Sequence, residues 1–231
     1  MKLLIGIATY QRITKLERLL NSILSNNYPD AKIVIMADNK DIDTANYFAK
    51  EKHLIIVSDE QRYVIGSWNR FYELFHEDAD AFLTLVDDVE LLPGVLPKLM
   101  NLLTANFPDL DGVIGLRQLY PGYPEAGFQP AGQVLVGKKF LERFKDVKYH
   151  LCCDNYIQWY QDQELYNYST SLNKFVLSGW DSLIHYHPAY YPQEADTTHR
   201  IVRGTIQKKD KATYQRRKEL GLTWGKTWDK V

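Results

Sequence analysis

Apolar residues recur with two alternating periods along the first half of the chain. Leu3 to Ala8 is a short apolar run, as in a strand covered on both faces. Behind it, Leu16, Leu19, Leu20, Ile23 and Leu24 repeat at helical spacing, and Thr14 with Glu17 reads as a capping box at the start of that helix. Tyr28-Pro29-Asp30 ends the helix, and Ala31 to Met36 is a second apolar strand. The alternation continues with a helix over Asp43 to Lys52, a strand over Leu54 to Val57, a helix over Ile65 to His76 and a strand over Ala81 to Val86. Strands separated by helices of this length predict βαβ crossovers and a largely parallel sheet flanked by helices.

The second half is less regular. Leu96 to Phe107 reads as a helix, Gly112 to Leu116 and Gln133 to Val136 as strands, and Asp154 to Tyr168 as a helix. Tyr120 to Gly132 is rich in Pro, Gly and aromatic residues, which predicts a loop. From Arg200 onward the chain is basic, with Lys208, Lys209, Lys211, Arg216, Arg217 and Lys218; a solvated helix and a diphosphate-closing arm both fit that pattern. No repeat or low-complexity linker divides the 231 residues, so one domain is expected.

Composition changes this picture in few places. With 45% apolar and 25% charged residues and a net charge of -1, no whole-molecule field points to nucleic acid or an anionic membrane. Sixteen Tyr and five Trp supply amphipathic rings that serve cores and also line sugar or nucleobase sites. The two cysteines, Cys152 and Cys153, are adjacent and offer no spaced pair for a disulfide framework. The apolar run at the N-terminus is too short for a signal peptide or a membrane span. A soluble, cytoplasmic protein is the expectation.

Three constellations carry candidate chemistry. In Leu83-Thr84-Leu85-Val86-Asp87-Asp88-Val89-Glu90, a buried strand delivers three acids at its C-terminal end, where open α/β sheets bind ligands. Crowded carboxylates repel unless a cation lies between them, and hard oxygen ligands suit Mg²⁺ or Mn²⁺; a solvated acidic turn is the plainer reading. In Trp159-Tyr160-Gln161-Asp162-Gln163-Glu164-Leu165, a helix would send Asp162 and Glu164 to different faces, so one of them reaches a shared site, where a carboxylate can act as general base. In Leu183-Ile184-His185-Tyr186-His187-Pro188, a strand would put both imidazoles on one face, able to complete a metal site or simply to pack.

The order of these segments, with Ile5-Gly6-Ile7-Ala8-Thr9-Tyr10-Gln11-Arg12 at the start, Asp38 after the second strand and Gly66-Ser67-Trp68-Asn69-Arg70 before the acidic strand, resembles that of family-2 glycosyltransferases of the GT-A fold over nearly the whole chain. The resemblance implies a single GT-A domain with a nucleotide-binding half at 1–115, an acceptor and catalytic half at 116–199 and a basic tail at 200–231. It implies donor-nucleotide contacts from Thr9, Tyr10, Arg12, Asp38, Asn69 and Asp87, a Mn²⁺ or Mg²⁺ ion on Asp88 and His187 with Glu90 in support, and Asp162 as catalytic base with Asp154 in reserve. His185 is the alternative imidazole. Thr197 to Arg200, Asp210, Tyr214 and Arg217 resemble a tail seen in viral and bacterial members of the group. Val86 stands where the first acid of the usual Asp-x-Asp would be, and Gln161 where an acid usually precedes the base.

The resemblance thus implies inverting sugar transfer from a nucleotide sugar, a UDP- or GDP-sugar above all, to a glycan, lipid-linked or other acceptor. A sugar nucleotidyltransferase would open with a Gly-rich basic loop that is missing after Ala8. A two-metal nuclease or phosphatase fits the order of strand and helix less well. A non-catalytic sugar-nucleotide or glycan binder of the same fold is the remaining alternative.

Overall fold

The structure is a computed structural model and describes residues 1–51, 53–123, 129–144, 151–196, 199–200 and 202–222, with no side-chain description at 144, 202 and 203. Four βαβ-linked strands come first: β1 (Leu3–Thr9), β2 (Ala31–Ala37), β3 (Leu54–Val57) and β4 (Ala81–Val86), joined by α1 (Ile13–Ser25), α2 (Ile42–Phe48) and α3 (Tyr63–Phe75). Then follow β5 (Val89–Leu91), α4 (Val95–Asn106), β6 (Val113–Leu119), β7 (Val134–Gly137), α5 (Lys138–Leu141), α6 (Gln161–Ser171), β8 (Phe175–His185) and α7 (Gln207–Glu219). The sheet runs β3-β2-β1-β4-β7-β6-β8-β5. The first four strands are parallel, as expected, whereas β7 is antiparallel to both neighbours and β5 is antiparallel to β8.

Alternation along the buried strands divides the core between two faces. Leu3, Ile5 and Ile7 of β1 pack with Leu16, Leu19 and Ile23 of α1 and with Leu96, Leu99 and Leu103 of α4. Leu4 and Ala8 face the other way, with Ile65, Trp68, Phe71 and Tyr72 of α3. Gly6 lets α3 approach that second face, because a Cβ there would stand 2.5 Å from the Phe71 ring. Parallel register aligns Thr9 with Ala37 and Ala8 with Val86, so the residues that follow each strand emerge along one edge. Thr9, Asp38, Asp87 and Asp88 therefore meet there.

Several expected boundaries move, each for a physical reason. Thr14 does not cap α1. The helix begins at Ile13 behind Arg12, without a side-chain cap, because Gln11 is held at φ 53 and donates its backbone N–H to Asp41. α1 ends at Ser25 rather than at Tyr28, where the Asn26 side chain donates to Ser22 O and Leu92 O. The helix expected from Asp154 starts only at Gln161, because Tyr160 adopts a left-handed conformation at φ 67. β8 extends back to Phe175, and it ends at His185, so His187 lies beyond the strand. Among the described residues, no helix is long and apolar enough to cross a membrane. Cys152 and Cys153 are buried free thiols.

Candidate functional site

A cleft of about 1120 Å³, counted out to open solvent, lies over the C-terminal ends of β1, β2 and β4. Thr9, Tyr10, Arg12, Asp38, Asp87 and Asp88 line one side of it. Gln158, Trp159, Gln161 and Asp162 line the other, with His185, His187 and His199 at the end.

Asp87 is buried and its oxygens are already engaged. Thr9 Oγ1 donates to Oδ2 at 2.8 Å and Arg12 Nη1 to Oδ1 at 2.9 Å. Burial lifts the Asp87 carboxyl above its ordinary value, with Arg12 pulling against it. Arg12 also pairs with Asp196 at 2.7 Å, and Lys15 reaches the same carboxylate at 3.0 Å. Burial alone would lower Arg12, but the surrounding carboxylates, Asp87 first, outweigh it and keep the guanidinium charged. Asp196 is held at about 2, because its bonds from Arg12, the His199 backbone and Lys15 overcome the effect of burial.

Asp88 is different. Its Oδ1 lies 3.4 Å from His185 Nε2, is buried and has no hydrogen-bond partner among the described residues. His185 Nδ1 sits 2.7 Å from Gln118 Oε1 and 3.2 Å from the Tyr120 hydroxyl. Gln118 Nε2 donates to Gln129 O, which fixes Oε1 toward the imidazole and makes His185 Nδ1 the protonated nitrogen. In the neutral ring, Nε2 then turns a lone pair toward a carboxylate oxygen. Two acceptors in that position need a cation between them, whether a proton or a divalent metal. Burial would raise Asp88, but His185 outweighs it, helped by Arg12 and His187, and its carboxyl stays well below the usual range.

His187 stands one ring further out, its centroid 5.2 Å from that of His185 and 5.5 Å from that of His199. Its Nδ1 accepts the Ala189 N–H, so its neutral form carries the proton on Nε2. Of the two imidazoles named from the sequence, His185 is the one that touches Asp88. The Asp88 and His185 pair would offer a carboxylate oxygen and an imidazole nitrogen to a divalent ion, and such ions commonly share their coordination with phosphate and water. Among the described residues no three His, Cys, Asp or Glu side chains are gathered as a ready metal cage.

Asp38 anchors the cleft wall at the end of β2. Its carboxylate accepts the N–H of Asn39 at 2.9 Å, Arg62 at 2.7 Å and Tyr63 at 2.8 Å, tying the end of β2 to the start of α3. Burial raises its pKa despite those bonds. On the opposite wall, Asp162 lies in the first turn of α6, and burial raises its pKa against only the backbone N–H bonds of Gln163 and itself. A desolvated carboxylate facing a cleft is poised to take a proton. Glu164 points to the other face of α6 and bonds Arg217, as the helical spacing predicted.

Three expected site residues lie elsewhere. Asn69 does not reach the cleft: it accepts the N–H of Leu151 and Cys152 and donates to Cys152 O, each at 3.0 Å or less. Its amide is shaped to hold a chain segment across α3. Glu90 bonds the Tyr186 hydroxyl at 2.8 Å, away from Asp88. Asp154 is exposed and is not part of the cleft wall. Thr197 and Thr198, and the side chain of Arg203, lie outside the described residues. Sequence reasoning missed Gln118 and Tyr120, the residues that orient His185. Their i, i+2 spacing at the end of β6 was the available signal, obscured by the loop composition after it.

The sequence profile of the glycosyl transferase family 2 matches residues 4–196. The chain belongs to that family. A comparison with curated proteins by sequence finds no match. Among solved structures, the fold is similar to the mannosyltransferase PcManGT from Pyrobaculum calidifontis in complex with GDP-Man and Mn²⁺, at TM-score 0.66 and 13% identity, over 93% of this chain and 64% of that one. It is also similar to S. aureus TarS 1–349, at TM-score 0.59 and 12% identity over 84% and 63%. For TarS 1–349 in complex with UDP-GlcNAc the values are 0.62, 11%, 90% and 66%. This chain thus spans less than two thirds of the length of the first of these solved relatives. The likeness establishes the GT-A fold, with its mostly parallel sheet flanked by helices.

Proposed function

We propose that this family-2 domain transfers a sugar from a nucleotide diphosphate donor to an acceptor hydroxyl, with inversion at the anomeric carbon. The observation that carries the reading is the buried Asp88 Oδ1, without a hydrogen bond among the described residues and facing His185, in a cleft whose opposite wall presents Asp162. Related structures that hold GDP-Man with Mn²⁺, and UDP-GlcNAc, support a GDP- or UDP-sugar as donor.

Thr9, Tyr10 and Asp38 flank the space for the nucleoside, and Tyr63 closes it from α3. Arg12, fixed by Asp87, carries positive charge toward the diphosphate. Mn²⁺ or Mg²⁺ on Asp88 and His185, with His187 in reach, would neutralise charge developing on the leaving diphosphate. Asp162 takes the proton of the acceptor hydroxyl as its oxygen bonds the anomeric carbon. The bond from that carbon to the phosphate oxygen breaks on the opposite side, and its electron pair leaves with the diphosphate. Trp159 and Gln158 stand beside Asp162, where an acceptor sugar ring can stack and hydrogen-bond.

The test is a thermal-shift screen of UDP- and GDP-sugars with and without Mn²⁺, on wild type and Asp88→Ala. A folded-state ligand raises Tm by mass action, about 2.7 kcal/mol of stabilisation at a hundredfold excess over Kd. Metal-dependent stabilisation in the wild type alone is the expected result. Equal stabilisation of both proteins, or of neither, would remove Asp88 from the metal site.

A further inference from the structure

The wall that carries Gln158 and Trp159 is irregular from Asp154 to Tyr160, yet it decides where α6 begins and so where Asp162 stands. Backbone N–H groups in such a segment need partners. Asp210 of α7 provides them: its fully buried carboxylate accepts the N–H of Ile157 at 3.1 Å, of Gln158 at 2.8 Å and of Trp159 at 2.8 Å. One turn along α7, Tyr214 stacks on Tyr160, with ring centroids 5.4 Å apart and planes at 21°. Two turns along, the fully buried Arg217 makes a two-pronged bond to Glu164 at 2.7 and 3.1 Å and donates to Asn155 Oδ1 at 3.0 Å.

Positions 210, 214 and 217 share one face of the helix, while Lys208, Lys209, Lys211, Arg216 and Lys218 are exposed on the others. An apolar face would bury against the domain without the desolvation cost of a carboxylate and a guanidinium. What the polar face adds is a fixed position for each peptide group it bonds. Tyr160 makes the need concrete. Its φ of 67 is strained for a bulky side chain, and such a conformation persists only where the surroundings over-determine it.

We propose that Asp210, Tyr214 and Arg217 act as a clamp of positioning residues. Through the segment from Asn155 to Glu164, they set Asp162 and Trp159 at the acceptor side of the cleft. This rests on Asp162 being the base, and it gives the basic tail a role in transfer that is separate from any contact with the donor.

The test compares Asp210→Asn and Tyr214→Ala with wild type in hydrolysis of UDP-GlcNAc and GDP-mannose with Mn²⁺, in nucleotide binding and in amide exchange. Asn keeps the shape of Asp but turns an NH₂ toward N–H groups. The expected result is faster exchange at 157–159, a kcat loss of about 10-fold to 100-fold from displacement of the base, and nucleotide affinity within about twofold of wild type. Tyr214→Ala is expected to lose kcat in the same way. The double variant Tyr160→Gly/Tyr214→Ala should recover it, since glycine holds a positive φ without the stacking ring.

Unchanged kcat alongside faster exchange would overturn the clamp, as would nucleotide affinity falling in step with kcat or a double variant no better than Tyr214→Ala. If Asp210→Asn does not fold, the Tyr214 and Tyr160 pair still decides the matter. A wild type that neither binds nor hydrolyses either nucleotide sugar brings down the transferase reading instead. Exchange then judges the clamp alone, and protection at 157–159 unaltered by Asp210→Asn overturns it.

Discussion

Asp88 and Asp162 face the same cleft from opposite walls, and the two walls are built differently. On the wall of Asp88, Thr9, Asp38, Asp87 and Asp88 come directly from three neighbouring parallel strands, whose register aligns Ala37 with Thr9 and Val86 with Ala8. Apolar strands buried on both faces fix that register, since a slip of one residue would turn each side chain to the wrong face. On the wall of Asp162, the backbone of Ile157, Gln158 and Trp159 is held by Asp210, a side chain that comes some 50 residues later, at a separation of 53 from Ile157. Hydrophobic pattern therefore places one half of the site and buried polar contacts place the other. The second kind of wall is more exposed to single substitutions, because each polar partner lost leaves another buried and unsatisfied.

The largest expected effect is at Asp162. Asp162→Asn should lower turnover by about 10²-fold to 10⁴-fold while leaving nucleotide binding intact. It should also stabilise the protein at neutral pH. Burial raises the Asp162 pKa, so its contribution to stability is complete below the ordinary carboxylate range and is lost as pH rises through the raised value. Removing the charge removes that loss, and Tm at pH 7 should rise, by about 2–4 °C for each kcal/mol relieved. The gain should vanish toward pH 3 to 4, near the ordinary Asp pKa of about 3.9. Turnover undiminished in Asp162→Asn would point to another base, and a protein inert in both forms would be a binder.

Next comes Arg217, on the same wall. Arg217→Ala leaves the buried Glu164 carboxylate, among the described residues, with the Tyr156 hydroxyl at 2.6 Å as partner. Breaking a buried pair in this way costs about 3–5 kcal/mol, readable in urea unfolding. Replacing both partners, as in Arg217→Met with Glu164→Leu, should cost much less, because no charge is then stranded. A double variant as unstable as the single one would mean that Arg217 stabilises through packing, and the contrast between the two walls would narrow.

The first half was legible for the same reason that it is robust. Strand Ala81–Val86 matches its sequence pattern end to end, and the acids after it lie where such a strand must deliver them. Asp210 and Arg217 stood out through the resemblance of the tail but not through any hydrophobic pattern, because in a run of Lys and Arg a buried guanidinium looks like a solvated one until its partner is located. Asn69 misled in the opposite direction. It sits beside Trp68 in a segment that resembles a donor-binding stretch, but its amide geometry is complete on the backbone of Leu151 and Cys152. The tautomer of His185 was equally out of reach, since it depends on Gln118, 67 residues upstream.

The smallest effect separates pattern from partner within the N-terminal half itself. Thr14 and Glu17 have the spacing of a capping box, yet α1 begins one residue before Thr14 and no side chain caps it. Thr14→Ala should therefore change stability by no more than about 0.5 kcal/mol, the usual range for a surface substitution away from any special feature. Asp41, which no spacing rule singled out, caps α2 through Thr44 N at 3.2 Å and also accepts the Gln11 N–H at 2.6 Å. Asp41→Ala should cost about 1–2 kcal/mol as a lost N-cap. It should also loosen the left-handed turn at Gln11 that leads into Arg12, and so weaken nucleotide binding slightly. Equal costs for the two variants would restore the capping box and leave the start of α1, and with it the aim of Arg12 at Asp87, without the tie to Asp41.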